Sequence, residues 1–168
     1  MKALVSIFMG STSDWPVMEA AAKVLNDFKI PFEINALSAH RTPDEVERFA
    51  KSAEERGIQV IIAAAGMAAH LPGVIAAMTP LPVIGVPIKS SLDGMDALLA
   101  IVQMPPGIPV ATVAINGSTN AAVLAAQILA TGNPEIAKAV KSYKSKLKDK
   151  IIQANKELAE FKFEYRVQ

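Results

Sequence analysis

The chain predicts an α/β three-layer sandwich, with a five-stranded parallel sheet between two helical layers and a long C-terminal helix. Three observations carry this. Short apolar, β-branched runs recur along the sequence, each too brief for a helix and each followed by a loop rich in Gly, Ser or Pro. Segments of helical character separate them. The runs are nearly all apolar, as strands covered on both faces must be, and right-handed crossovers put helices on each side of such a sheet.

The strands are read at Ala3–Met9, Phe32–Ala36, Val60–Ala64, Val83–Val86 and Val110–Ile115. Between them, Pro16–Phe28, Pro43–Arg56, Leu71–Thr79 and Asp93–Val102 read as helices, and Ala121–Thr131 follows the last strand. The best-marked helix start is Thr42-Pro43-Asp44-Glu45. Thr42 is the expected N-cap, Pro43 suits the first helical position, and Glu45 reaches back to complete a capping box. Gly132-Asn133-Pro134 closes one helix and opens the last, read over residues 134–163, which at about 1.5 Å per residue runs roughly 40 Å. Its apolar residues Ile136, Val140, Tyr143, Leu147, Ile151, Ala154, Leu158 and Phe161 recur every three or four positions. Part of that stripe is expected to pack on another subunit. The whole reads as a single flavodoxin-like domain over 1–168, with residues 1–131 as its α/β core.

Composition narrows the function classes. Without cysteine there is no disulfide framework, thiolate metal site or cysteine nucleophile, and two histidines make a dedicated transition-metal site improbable. The longest run free of strongly polar side chains, Val60–Ala69, is far below the roughly 20 residues of a membrane span, and Ala3–Met9 is a strand, not a signal peptide. A cytoplasmic protein is expected. The net charge of +1 hides an asymmetry, with 8 basic and 12 acidic side chains before residue 138 and 9 basic and 4 acidic from there on. Because the late lysines alternate with the apolar stripe, they read as wet helix faces, and no nucleic acid is expected.

In an open parallel sheet, ligands sit beyond the carboxyl ends of the strands, which singles out three loops. Gly10-Ser11-Thr12-Ser13-Asp14 offers three hydroxyls, a glycine for close backbone approach, and the N–H groups of the next helix to an anion, while Asp14 suits sugar hydroxyls. Plain helix capping by Ser13 and Asp14 is the competing reading. Ser38-Ala39-His40-Arg41-Thr42-Pro43 joins an imidazole, able to move protons near neutral pH, to a guanidinium that can clamp a phosphate. Gly66-Met67-Ala68-Ala69-His70-Leu71-Pro72-Gly73 supplies small cavity walls, backbone N–H groups and the second histidine, which could instead cap or fill a gap.

Together with Gly85-Val86-Pro87 and Ile101-Val102-Gln103-Met104-Pro105, these motifs closely resemble the N5-carboxyaminoimidazole ribonucleotide mutase family of purine biosynthesis, over about Lys2 to Thr131. The resemblance implies an isomerase with neither cofactor nor metal, which moves a carboxylate from the exocyclic nitrogen of an aminoimidazole ribonucleotide to the ring carbon. It implies His40 as the proton-transfer residue. It puts Ser11, Ser13, Ser38 and Arg41 near the phosphate, Asp14 on the ribose, the backbone around Ala39, Gly66 and Met67 at the carboxylate, and His70 in support. A homo-octamer is the family's usual assembly. Segments 89–94 and 116–120 are shorter here than in common members, so no contacts are carried over to them. A flavin-binding electron carrier is the chief rival, disfavoured because Trp15 is the sole aromatic near the three loops, and a phosphorylation receiver would need an acidic residue where Ala63-Ala64-Ala65 stands.

Overall fold

A computed structural model describes residues 2–167. Strands β1 (Val5–Met9), β2 (Phe32–Ala36), β3 (Val60–Gly66), β4 (Val83–Ile88) and β5 (Ala111–Thr112) form one parallel sheet in the order β2-β1-β3-β4-β5. β1 is interior, with Ile7 beside Ile34 of β2 and Ile62 of β3. The chain steps outward from β1 to β2 and then crosses back to β3. The loops leaving β1 and β3 therefore part to opposite faces, and a crevice opens between them at the carboxyl edge.

Helices α1 (Trp15–Asp27), α5 (Ser118–Ala130) and α6 (Pro134–Ala159) cover one face, and α2 (Pro43–Ser52), α3 (Leu71–Ala76) and α4 (Met95–Val102) the other. Alternation along the strands feeds both layers. Val5, Ile7 and Met9 pack with Met18, Leu25 and Ala125, while Phe8 and Ile61 pack with Val46, Ile75 and Ile101. Each large apolar side chain fully buried this way contributes about 1.5–3 kcal/mol, so apolar strands are what this architecture requires.

Several boundaries differ from the sequence reading. β5 is two residues long, not six: Pro87 in β4 has no N–H to give a neighbour, and beyond Thr112 the pairing dwindles to single bonds, Val113 N–H to Gly85 O (3.1 Å) and Asn116 N–H to Pro87 O (2.8 Å). α4 starts at Met95 rather than Asp93 because Leu92, Asp93 and Gly94 take φ of 44°, 54° and 87°, outside the helical region. α3 stops at Ala76, short of the Thr79-Pro80 step, where proline disfavours helical backbone in the residue before it. α2 ends at Ser52. Past it, Gly57 turns the chain at φ 95° and Arg56 crosses the Phe49 ring (4.0 Å) to Glu33 (2.9 and 3.1 Å). α5 begins three residues early, since the buried Ser118 donates its hydroxyl to Val17 O (2.5 Å) and Gly117 fits against Ala114.

The expected capping box at Thr42 is not formed. Thr42 occupies the N-cap position, but its hydroxyl donates to Ser38 O (3.1 Å) and accepts from Ser38 N–H (2.9 Å), while Glu45 pairs with Arg48. The backbone of Ser38 took the hydroxyl instead. Asn133 does cap α6, accepting from Glu135 and Ile136 N–H. That helix ends at Ala159, four residues before the expected end. Ile136 and Val140 are buried and Tyr143 meets Phe28 edge-on at 5.3 Å, whereas Leu147, Ile151 and Leu158 are exposed. Among the described residues no helix is long and apolar enough to cross a membrane.

Candidate active site

The carboxyl edge of the sheet holds a cavity of about 450 Å³, within the size range of small-molecule sites. All ten residues singled out in the sequence line it: Ser11, Ser13 and Asp14 after β1, Ser38, Ala39, His40 and Arg41 after β2, and Gly66, Met67 and His70 at the end of β3. They converge because β2, β1 and β3 are adjacent and end together. Among the described residues, no group of three or more His, Asp or Glu side chains converges as a metal site.

Each loop is shaped by its own hydrogen bonds. After β1, a single 3₁₀ turn (Thr12–Asp14) intervenes before α1, and it takes up three of the N–H groups at this end. Ser13 N–H goes to Ser11 Oγ (3.3 Å), Asp14 N–H to Ser11 O (3.1 Å), Trp15 N–H to Thr12 O, and Pro16 has none. The hydroxyls of the turn add to the attraction for an anion at this end, as does Arg41, whose Nη2 donates to Gly10 O at 2.9 Å and so holds the guanidinium over the turn. After β2, Arg41 N–H donates to Ser38 Oγ (3.2 Å), and the Thr42 to Ser38 bonds close the loop. After β3, Met67 adopts φ 56°, uncommon for a non-glycine residue, and tight bonds from Ala69 N–H to Met67 O and His70 N–H to Ala68 O (both 2.8 Å) turn His70 back toward the cavity.

The two histidines meet there. His40 Nε2 lies 2.9 Å from His70 Nδ1, the rings crossing edge-on with centroids 5.1 Å apart. Such a bond needs one nitrogen protonated and the other bare, so each ring restricts the tautomer and orientation of the other. His70 makes no capping bond at the start of α3, and neither does Asp14 at the start of α1.

A family model described as AIR carboxylase matches residues 4–150. The chain belongs to the AIR carboxylase family. It is 61% identical over 145 residues to the N5-carboxyaminoimidazole ribonucleotide mutase of Pyrococcus abyssi, covering 86% of this chain and 83% of that protein. To the mutase of Thermotoga maritima it is 59% identical over 150 residues, covering 89% and 88%. The crystal structure of Treponema denticola PurE superposes with a TM-score of 0.86 at 35% identity, covering 94% of this chain and 99% of that one.

In this AIR carboxylase family chain the cavity has a fourth wall that the sequence reading missed, Ile88 and Ser90 at the end of β4. A signal was available, since the rule that ligands sit past strand carboxyl ends applies to β4 as much as to β1–β3. Asp14 carries the one perturbed carboxyl at the site. Burial raises its pKa above the ordinary 3.8, against hydrogen bonds from Ser13 and Ser11 that lower it. A raised native pKa means that the fold binds more protons than the unfolded chain in the window upward from 3.8, so this residue's contribution to stability is present at low pH and lost as pH rises through the native value. Asp14→Asn is accordingly expected to melt above wild type at neutral pH, with the gap closing as pH falls toward the ordinary carboxyl value, while its ligand affinity falls. Thermal melts of both proteins across pH 4–7.5 check this; a variant less stable at pH 7 contradicts it.

Proposed function

We propose that the chain is an N5-carboxyaminoimidazole ribonucleotide mutase acting in de novo purine biosynthesis, moving the carboxylate from the exocyclic nitrogen to the ring carbon to give 4-carboxyaminoimidazole ribonucleotide. The observation that carries this reading is the His40–His70 pair at 2.9 Å in a cavity that also holds Arg41, the serine turn and Asp14. The names and high identity of the mutase relatives support it.

The phosphate sits with Ser11, Ser13, Ser38 and Arg41, the ribose hydroxyls bond Asp14, and the carboxylate lies against the backbone of Ala39, Gly66 and Met67. Protonated His40 gives its proton to the carbamate nitrogen. The C–N bond then breaks, its electrons pass to nitrogen, and CO₂ is released into the cavity. The ring carbon bonds to that CO₂, and the proton left on the carbon returns to His40. One proton is given and one taken, so the step is a net isomerisation. His70 keeps the imidazole of His40 aimed throughout. The small side chains of Ala65 and Ala68 and the bare Gly66 leave room in the wall for CO₂. Assembly into a homo-oligomer, an octamer in our reading, uses the exposed stripe of α6, and the enzyme works in the cytoplasm.

The test follows the ultraviolet change when the purified chain meets N5-carboxyaminoimidazole ribonucleotide with no ATP or metal added. Conversion well above the spontaneous background is expected. An inert protein sinks the reading.

A further inference from the structure

Four serines line the cavity, and three of them are engaged within the protein. Ser11 Oγ accepts from Ser13 N–H, Ser13 Oγ donates to Asp14, and Ser38 Oγ accepts from Arg41 N–H. The hydroxyl of Ser90 makes no hydrogen bond among the described residues. It stands on the opposite side of the cavity from Arg41, because Arg41 follows β2, Ser90 follows β4, and β1 and β3 lie between them. The strands that carry them are three spacings apart, but the Arg41 guanidinium reaches back to Gly10 O after β1, so its charge stands about two spacings from β4, roughly 10 Å. The cation thus occupies one end of the cavity and an unengaged neutral donor the other.

The backbone at Ser90 is held deliberately close to β3. Gly66 lies opposite Ile88, and a Cβ built on Gly66 would stand in ordinary contact with Ile88 O (3.4 Å) and Ser90 Cβ (3.6 Å), so the end of β4 and Ser90 lie directly beside the Gly66 wall of the cavity. The preceding residue is clamped from the β5 side. Lys89 N–H donates to Asn116 Oδ1 (2.9 Å), and Asn116 N–H donates to Pro87 O (2.8 Å), with Asn116 at φ 57°, a conformation asparagine tolerates better than most residues. On the far side of the loop, Gly94 packs against both Ile115 and Lys89. Segments 89–94 and 116–120 therefore meet at this clamp.

Resting on the function proposed above, we infer that Ser90 is a further substrate-binding residue, its hydroxyl donating to a carboxylate oxygen on the base while Arg41 holds the phosphate, and that Asn116 is the positioning residue that keeps it there. A neutral donor suits a carboxylate that must also depart as CO₂, since a fixed cation would hold the anion too firmly.

The experiment compares two ligands on the intact enzyme: the carboxylated ribonucleotide, by steady-state turnover, and the same aminoimidazole ribonucleotide lacking the carboxylate, by calorimetric titration. Ser90→Ala is expected to lower kcat/KM about tenfold to a hundredfold while the Kd of the decarboxylated ligand moves less than about twofold, as loss of one hydrogen bond to a charged group predicts. Asn116→Gly, which keeps the backbone conformation, is expected to reproduce that selective loss. Asn116→Asp, which keeps the acceptor for Lys89 N–H, is expected to restore most of the rate. An unchanged Ser90→Ala, or equal weakening of both ligands, overturns the assignment of Ser90. An inert wild type overturns the proposed function and this inference with it, so the two failures are distinct.

Discussion

His40→Asn is expected to fold normally and to lose about a thousandfold in kcat, the middle of the range for removing a general acid and base. Asparagine is the informative replacement. Its amide stands where the ring Nδ1 stands and does not reach His70, whose partner at 2.9 Å is Nε2, and it has no proton to exchange near neutral pH; His40→Gln, whose amide reaches the Nε2 position, is the control that keeps the loops tied and should be as slow. His40 is exposed and outside both apolar cores, so thermal stability should barely move. KM should move little too, because in our reading the phosphate and ribose contacts are elsewhere. Single-turnover rates with N5-carboxyaminoimidazole ribonucleotide separate the chemical step from release. A folded variant at full rate would remove His40 from the mechanism, and a parallel His70→Asn with the larger loss would reverse the roles of the two rings.

The second large effect is expected at the other end of the cavity. Arg41→Met should raise KM about a hundredfold, the scale of two charge-assisted hydrogen bonds lost together from a bidentate clamp. Arg41→Lys should fall between, because lysine keeps the charge without the planar fork. The variants also lose the bond to Gly10 O, so a control is needed to separate loop disorder from phosphate binding. The dephosphorylated nucleoside provides it: wild type and Arg41→Met should bind this ligand equally weakly if the guanidinium acts on phosphate. A variant that weakens both ligands alike would make Arg41 a strut of the loop.

Both predictions concern residues that local sequence singled out, yet neither effect could be sized from sequence. Strand and helix alternation, the five apolar runs and the loops that carry polar chemistry were legible because each depends on neighbours two to four positions away. The same holds for Asn133 as a cap, which acts on residues two and three ahead. Where a long-range partner competed, local rules failed: Arg56 left its helix for Glu33, and Pro87 in one strand cut short the next. At Thr42 a partner four residues back, Ser38, defeated the capping rule.

Which side chains are available at the carboxyl edge is legible from the residues alone, because loop residues with hydroxyl, imidazole and guanidinium groups are written in the order of the strands they follow. Tertiary structure alone decided their pairing. His40 and His70 are 30 positions apart and meet only because β1 threads between the strands that carry them, and Arg41 settles on Gly10 for the same reason. Ser90 enters the site through the approach of β4 to Gly66 and the clamp from Asn116, which no local pattern encodes. Strand order and the spacing between strands set those distances, and both arise from the packing of the whole sheet.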